Sequence, residues 1–430
     1  MGVQGESGEI KFLDDFKRFW RDQSRNYKVY LVRDILSSLL GRIGDQYGTI
    51  YMYALGATAF DIGLLNSINS AVRCVLALPG GLLIDRSKKI KRLYITGRFL
   101  QLPVNLIKAF STNVSMYMAS RVWSVATFRL TMPSANIISI AAIKNKDRVR
   151  AMVTSRTITS AVGLVAPLLA AWLITYLGGL ESVDSYRPLF IIQFVVSLVT
   201  FIVLATQLEE PQYTRRERKK SSIWQSTRAM FNEISGLKWV LALNVARTLF
   251  MSIRMPYMML YIYEIKNASA WVIGYRGTVT TAVALLFTIP IGNLADRFGR
   301  RKIGYLAQAF NGASVLVTVL TPPTQPEWLV LASLLSSLGM SMDIGWNAYI
   351  QEYIPLDIRG RWSGISTTIT ALIGIPAPLI GGLIWNYNPD YLWWMMLIYY
   401  FIIAIPLRYI LPHKEAPVSE IQGDSGEAQT

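Results

Sequence analysis

Gly292-Asn293-Leu294-Ala295-Asp296-Arg297-Phe298-Gly299-Arg300-Arg301-Lys302 is a short, strongly basic turn between two long apolar runs. A near copy, Gly81-Leu82-Leu83-Ile84-Asp85-Arg86-Ser87-Lys88-Lys89, lies 211 residues earlier. The same offset lays Ile62-Gly63 on Ile273-Gly274, Ala71-Val72 on Ala282-Val283 and Pro79 on Pro290. Further along it lays Asn136 on Asn347, Arg148 and Arg150 on Arg359 and Arg361, and Ala166-Pro167-Leu168 on Ala377-Pro378-Leu379. One register, held without a gap through several runs and loops, marks two parallel copies of a single unit.

The apolar runs are roughly 20 residues long, the length that crosses a bilayer core of about 30 Å. About twelve such runs can be counted, six in each copy. A chain of 430 residues that is 52% hydrophobic and 16% charged is too apolar for an ordinary soluble protein. Its net charge of +16 would suit nucleic acid, but the placement of the charge excludes that partner. Lys and Arg gather at Arg86–Arg92, Lys144–Arg150, Arg215–Lys220, Arg297–Lys302 and Arg359–Arg361, on alternate sides of the runs. The opposite loops are nearly free of them, with Arg187 and Lys266 as exceptions. The positive-inside rule therefore puts the basic turns and both termini in the cytoplasm, in a multi-pass cell-membrane protein.

The single cysteine, Cys74, lies within an apolar run and excludes a disulfide framework. The single histidine, His413, follows the last run, so the ligand sets of a zinc or haem site are missing. No metal or cofactor is expected. No P-loop and no Ser/His/Asp set is present, which argues against an enzyme and against ATP-driven pumping. The chain divides into a cytoplasmic tail (1–29), a first six-helix bundle (30–207), a polar linker (208–236), a second bundle (237–411) and a C-terminal tail (412–430). Phe12, Phe16, Phe19 and Trp20 are spaced for an amphipathic helix on the inner leaflet. The linker cluster Arg215–Lys220 is suited to anionic lipid. The polar start, residues 1–29, lacks the pattern of a cleavable signal peptide.

Two six-span halves in parallel repeat, a basic central loop, and G-x-L-x-D-R after spans two and eight resemble the major facilitator superfamily. The match runs from about residue 30 to 411, and is closer at Gly292–Lys302 than at Gly81–Lys91, where Ser87-Lys88-Lys89 departs from the usual pattern. The resemblance implies an all-α membrane protein of about twelve transmembrane helices in two parallel six-helix pseudo-repeats. It also implies that Gly81, Asp85, Arg86, Gly292, Asp296, Arg297, Gly299 and Arg300 gate the inner side. Asp85 and Asp296 are then expected to meet helix N-termini of the opposite half, near Ile358 and Arg148. A carboxylate there gains roughly 0.3–1 kcal/mol from the helix dipole, and up to about 2 when partly buried.

Charges inside the spans carry the rest. Each central one costs roughly 2.5–3.5 kcal/mol on insertion scales and so needs a wet cavity or a partner. Helical spacing sorts them into stripes: Asp34, Ser38, Arg42, Asp45 and Thr49 on span one, and Arg121, Val125, Arg129, Met132 and Asn136 on span four. Span seven gives Asn244, Arg247, Met251 and Arg254, and span ten gives Ser336, Met340, Asp343 and Asn347. In the family these four spans line the central cavity. Arg42, Arg129, Asn136, Asn244, Arg247, Arg254 and Asn347 are therefore the candidate substrate residues. Asp45 and Asp343 are the candidate proton carriers, with Arg42 or Arg129 as partner of Asp45 and Asp343 the nearest partner for Arg247 and Arg254. Ends such as Arg98, Arg156 and Arg276 are assigned to internal bridges or interface snorkelling.

Together these features point to a secondary active transporter, expected to be a monomer, that couples protons to a small organic solute. An excess of arginine, whose planar fork matches carboxylate and phosphate, favours an anion. Export of drugs or metabolites is the alternative. Its span-five motif is only partly met by Gly163-Leu164-Val165-Ala166-Pro167, and a closer form, Ala377–Gly382, sits in span eleven. A channel would require a continuous pore ring in place of a duplicated unit.

Overall fold

The computed structural model describes residues 20–21, 23–44, 46–87, 89–143, 148–210, 236–354 and 358–411. The proposed inner-leaflet helix (apart from Trp20), the linker cluster and the C-terminal tail lie outside the described residues. Within them the regular structure is helical and makes twelve passes. Seven passes are single helices: Ile90–Ala109, Val114–Ala141, Arg148–Tyr176, Arg187–Gln207, Ala270–Phe298, Arg300–Leu320 and Trp328–Tyr353. These are spans three to six and eight to ten.

The other five passes are interrupted. Span one joins Arg25–Gly44 to Gly48–Ala54, and span two joins Ala59–Val75 to Ala77–Arg86. Span seven runs through Leu237–Arg254, tightens over Met255–Tyr257 and widens to a π-turn over Tyr261–Ile265. Pro256 accounts for the tightening, because its ring leaves no N–H for the helical ladder. Span eleven breaks between Arg359–Ile373 and Ala377–Tyr387 across Gly374-Ile375-Pro376. The Tyr257 hydroxyl donates to the Pro378 carbonyl beside that break at 2.6 Å, tying span seven to span eleven there. Span twelve holds a π-helical stretch, Ile398–Ala404.

Helix starts follow side-chain chemistry. Thr58 and Asp61 form a reciprocal capping box before span two, while Asn113 accepts from the Met116 N–H before span four and Ser269 from the Val272 N–H before span eight. Seven helical stretches, in spans five, six and eight to twelve, are long and apolar enough to cross a membrane. Spans one to four and seven fall short of that measure. They are the passes that carry Arg33, Asp34, Arg73, Arg98, Lys108, Arg121, Arg129, Arg247 and Arg254.

The apolar core shows how the halves meet. On the side away from the basic turns a single core crosses both halves, joining Tyr47, Tyr51, Tyr117 and Phe190 to Tyr257, Tyr261, Trp385 and Trp393. Toward the basic turns the first half keeps clusters of its own, one of Tyr30, Ile90, Tyr94, Ile138 and Leu204 and one of Tyr27, Ala142 and Ala151. In the second half Ile291, Ala295, Ile303 and Met342 form a separate cluster, while the shared core also reaches Ile354, Ile358 and Trp362. Bonds across the seam gather on the far side too. Gln46 Nε2 donates to the Ile273 carbonyl at 2.6 Å, Tyr47 Oη to Ala270 O at 3.2 Å, and Tyr53 Oη to Glu264 Oε1 at 3.1 Å.

Close approach at this seam depends on glycine. A Cβ at Gly274 of span eight would stand 3.0 Å from the Pro167 carbonyl of span five, and one at Gly63 of span two 2.8 Å from the Pro378 carbonyl of span eleven. Gly63 and Gly274 are repeat partners, as are Pro167 and Pro378, so the seam is built twice from one pair of residues. Among the described residues, hydrogen bonds and close glycine approaches between the halves lie on the side away from the basic turns or near mid-span.

Candidate functional site

Two cavities adjoin at Arg73 and Arg121. The larger, about 580 Å³, lies inside the first bundle among spans one, two, three, four and six. Its cationic wall is Arg73, Arg98, Lys108, Arg121 and Arg129, with Gln101, Asn105, Ser124, Gln193, Ser197 and Thr200 supplying neutral polar groups. The smaller, about 320 Å³, lies on the seam, where Thr49, Asn66, Asn69, Ser70, Arg73 and Arg121 of the first half face Ser252, Met255, Pro256, Met259 and Pro378 of the second. No carboxylate lines either cavity among the described residues.

The cationic wall is held in place from several helices. Arg98 lies over the Tyr94 ring at 5.7 Å and donates to Tyr94 Oη at 3.3 Å and Gln101 Oε1 at 3.2 Å. Lys108 is buried, with Nζ over the Phe190 ring at 5.7 Å. Asn105 Nδ2 donates to Ser197 Oγ at 3.3 Å, linking spans three and six across the cavity. Arg73 lies within range of the charges on Arg121 and Arg129. Like charges held together in this way attract a polyatomic anion, which the fork of each guanidinium can grip through paired N–H groups.

The residues expected from sequence fall into separate places. Arg129 lines the larger cavity. Asp45 lies outside the described residues, as do the side chains of Arg42, Asp85, Arg86 and Arg148. Asn136 and Asn347 are exposed toward the basic-turn ends of spans four and ten and line neither cavity. Asn244 reaches span eleven, 3.5 Å from Ser366 Oγ, and Arg247 is half-buried near Tyr399 and Tyr400. Arg254 is buried within the second bundle over the Trp393 ring, turned away from the seam that its neighbours Met255 and Pro256 line.

Asp343 does not meet Arg247 or Arg254. Its carboxylate takes Arg408 Nη2 at 2.9 Å and Gln308 Nε2 at 3.3 Å, and Arg408 also donates to the Gly304 carbonyl and covers the Trp346 ring. This buried pair joins spans nine, ten and twelve, because span ten turns that face of its stripe into its own bundle. On the basic turn, Gly292 is open, Gly299 takes the left-handed φ of +93°, and Arg297 is exposed. Asp296 contacts Arg300 of its own half at 3.1 Å, and Arg300 also pairs with Glu352. Asp296 is thus engaged within its own half.

Arg73, Arg98, Arg121 and Lys108 were not among the expected substrate residues. A signal for some of them was available. Arg98, Gln101, Asn105 and Lys108 form a stripe on span three at steps of three and four, and Gln193, Ser197 and Thr200 do the same on span six. The two exceptions in the far loops are also explained. Arg187 pairs with Asp184 at 3.0 Å. Lys266 is buried and donates to the Val319 and Thr321 carbonyls at 2.7 and 3.0 Å, closing the end of span nine, and burial lowers its pKa.

The sequence model of the Major Facilitator Superfamily matches residues 29–275 and 243–429. An uncharacterized MFS-type transporter of Methanocaldococcus jannaschii is 22% identical over 409 residues, covering 90% of this chain and 94% of the relative. Among solved structures, the nucleoside transporter NupG shares the fold at a TM-score of 0.72 and 12% identity, covering 91% of this chain and 100% of that one. A bacterial homologue of the iron transporter ferroportin, in an inward-facing state, gives 0.70 and 15%, over 90% of this chain and 100% of that one. On these grounds the chain belongs to the Major Facilitator Superfamily and is a membrane transporter.

Proposed function

We propose that the chain is a secondary active transporter of a small organic anion, coupled to protons and working by alternating access. The observation that carries this is the pair of adjoining cavities walled by Arg73, Arg98, Lys108, Arg121 and Arg129 with no carboxylate among their described linings. Such a wall disfavours cations, metal ions included, and favours carboxylates and phosphates. The basic turns face the cytoplasm, so the arrangement of the halves is inward-open. A rocking motion would open the far-side seam and bring the basic-turn ends of the two halves together, leaving the clusters within each half intact. Proton coupling is assigned to Asp45, three residues after Arg42 in the sequence of span one.

The test is a ligand screen on purified protein followed by flux in proteoliposomes. Carboxylates and phosphates should raise the melting temperature and be transported, with Arg129→Ala and Arg73→Ala each weakening binding roughly ten- to a hundredfold, the value of a lost charge-assisted bond of about 1.5–3 kcal/mol. Neutral nucleosides, divalent metals and lipophilic cations belong in the same screen. A clear preference for any of these would overturn the anion assignment. Asp45→Asn should abolish uphill uptake driven by a pH gradient and spare counterflow exchange; intact uphill uptake removes Asp45 from coupling.

A further inference from the structure

The second bundle holds two arginines that the cavities do not use. Arg254 of span seven and Arg276 of span eight are both buried, and the Arg254 charge bears on Arg276. Neither makes an ion pair among the described residues. Two acids of the same bundle have other partners: Asp343 is bound to Arg408, and Asp390 accepts from the Tyr261 hydroxyl. Arg254 has only sulfur acceptors, Met258 Sδ at 3.5 Å from Nη1 and Met255 Sδ at 4.0 Å from Nη2, and its Nε has no acceptor among the described residues. Arg276 Nε donates to Ser333 Oγ at 2.7 Å, and its Nη1 is likewise without an acceptor. The indole Nε1 of Trp393, whose ring Arg254 covers at 5.8 Å, is a third buried donor in the same condition.

Thioether sulfur is a weak acceptor. Two guanidiniums out of water, each repelling the other, are tolerated where a counter-charge offsets them. From these donors we infer that a monovalent inorganic anion of the chloride class binds between Arg254 and Arg276, inside the second bundle and apart from the seam. A halide suits this place because it accepts N–H donors from any direction and needs little room. A carboxylate or phosphate would bring several oxygens to a place with few free donors. The anion would tie span seven, which bears the Pro256 break, to span eight.

The experiment is thermal unfolding of the full-length protein in detergent, with chloride or bromide titrated against gluconate at constant ionic strength. A saturable rise of several degrees with either halide is expected. It should persist in Arg129→Ala, which alters the cationic cavity, and vanish in the double variant Arg254→Met with Arg276→Met. Equal melting in halide and gluconate, or a halide effect that survives the double variant, overturns the proposal. Should the double variant fail to fold, anomalous scattering from bromide-soaked wild-type crystals decides: a peak between Arg254 and Arg276 supports the site, and no peak there sinks it.

Discussion

Asp343 shows how far one carboxylate's role depends on what faces it. Its stripe on span ten suggested a wet cavity, whereas its partners are Arg408 and Gln308 inside the second bundle. A buried pair of this kind is strongly destabilising to break, because the remaining charge is left uncompensated. Asp343→Asn is expected to destabilise the protein by roughly 3–5 kcal/mol, read as a lowered melting temperature in detergent. The pair Asp343→Leu with Arg408→Met should recover most of that loss, since it removes both charges together. A proton carrier in open water would behave differently: Asp343→Asn would then melt like the wild type and lose only coupling.

At the scale of helices, the seam relies on two glycine–proline contacts related by the repeat. Gly274→Leu would drive a branched side chain against the Pro167 carbonyl and Ala171 Cβ, which lie 3.0 and 2.9 Å from the position of its Cβ. Overpacking of this sort costs about 1–3 kcal/mol, and here it is felt only while spans five and eight are closed on the far side. Since about 1.4 kcal/mol is a tenfold change in an equilibrium, Gly274→Leu should move much of the population toward a far-side-open form. Gly63→Leu should do the same through spans two and eleven. Spin-label distances across the far ends of these helices would lengthen in both variants, and unchanged distances would refute the account.

For the whole molecule, an aromatic core is shared by the halves on the side away from the basic turns, and under the proposed alternating-access cycle this is one of two arrangements. The Tyr53–Glu264 bond crosses the far-side seam and lies toward the solvent. Tyr53→Phe should lose about 0.5–1.5 kcal/mol of closure, the smaller figure being apt for an exposed bond. In a Cys74→Ser background with Met259→Cys on the seam, far-side thiol labelling should then quicken a few-fold. Labelling at the parent rate would remove this bond from the latch.

Much of this architecture was legible from residues alone. The offset of 211 between Gly81 and Gly292, the length of the apolar runs and the alternation of basic loops define a twelve-span duplicated membrane protein. They do so because a bilayer imposes length, internal hydrogen bonding and charge placement on each span separately. The site was legible only in part. Periodicity locates a polar stripe on a helix, and Arg129 was found that way, but it does not say which neighbour the stripe faces. Only packing decided that Arg98 and Lys108 join Arg129 at a cavity, that Arg254 turns inward to Trp393, and that Asp343 belongs to Arg408. A helix fixes directions within itself, whereas its rotation about its own axis is set by the helices that close around it.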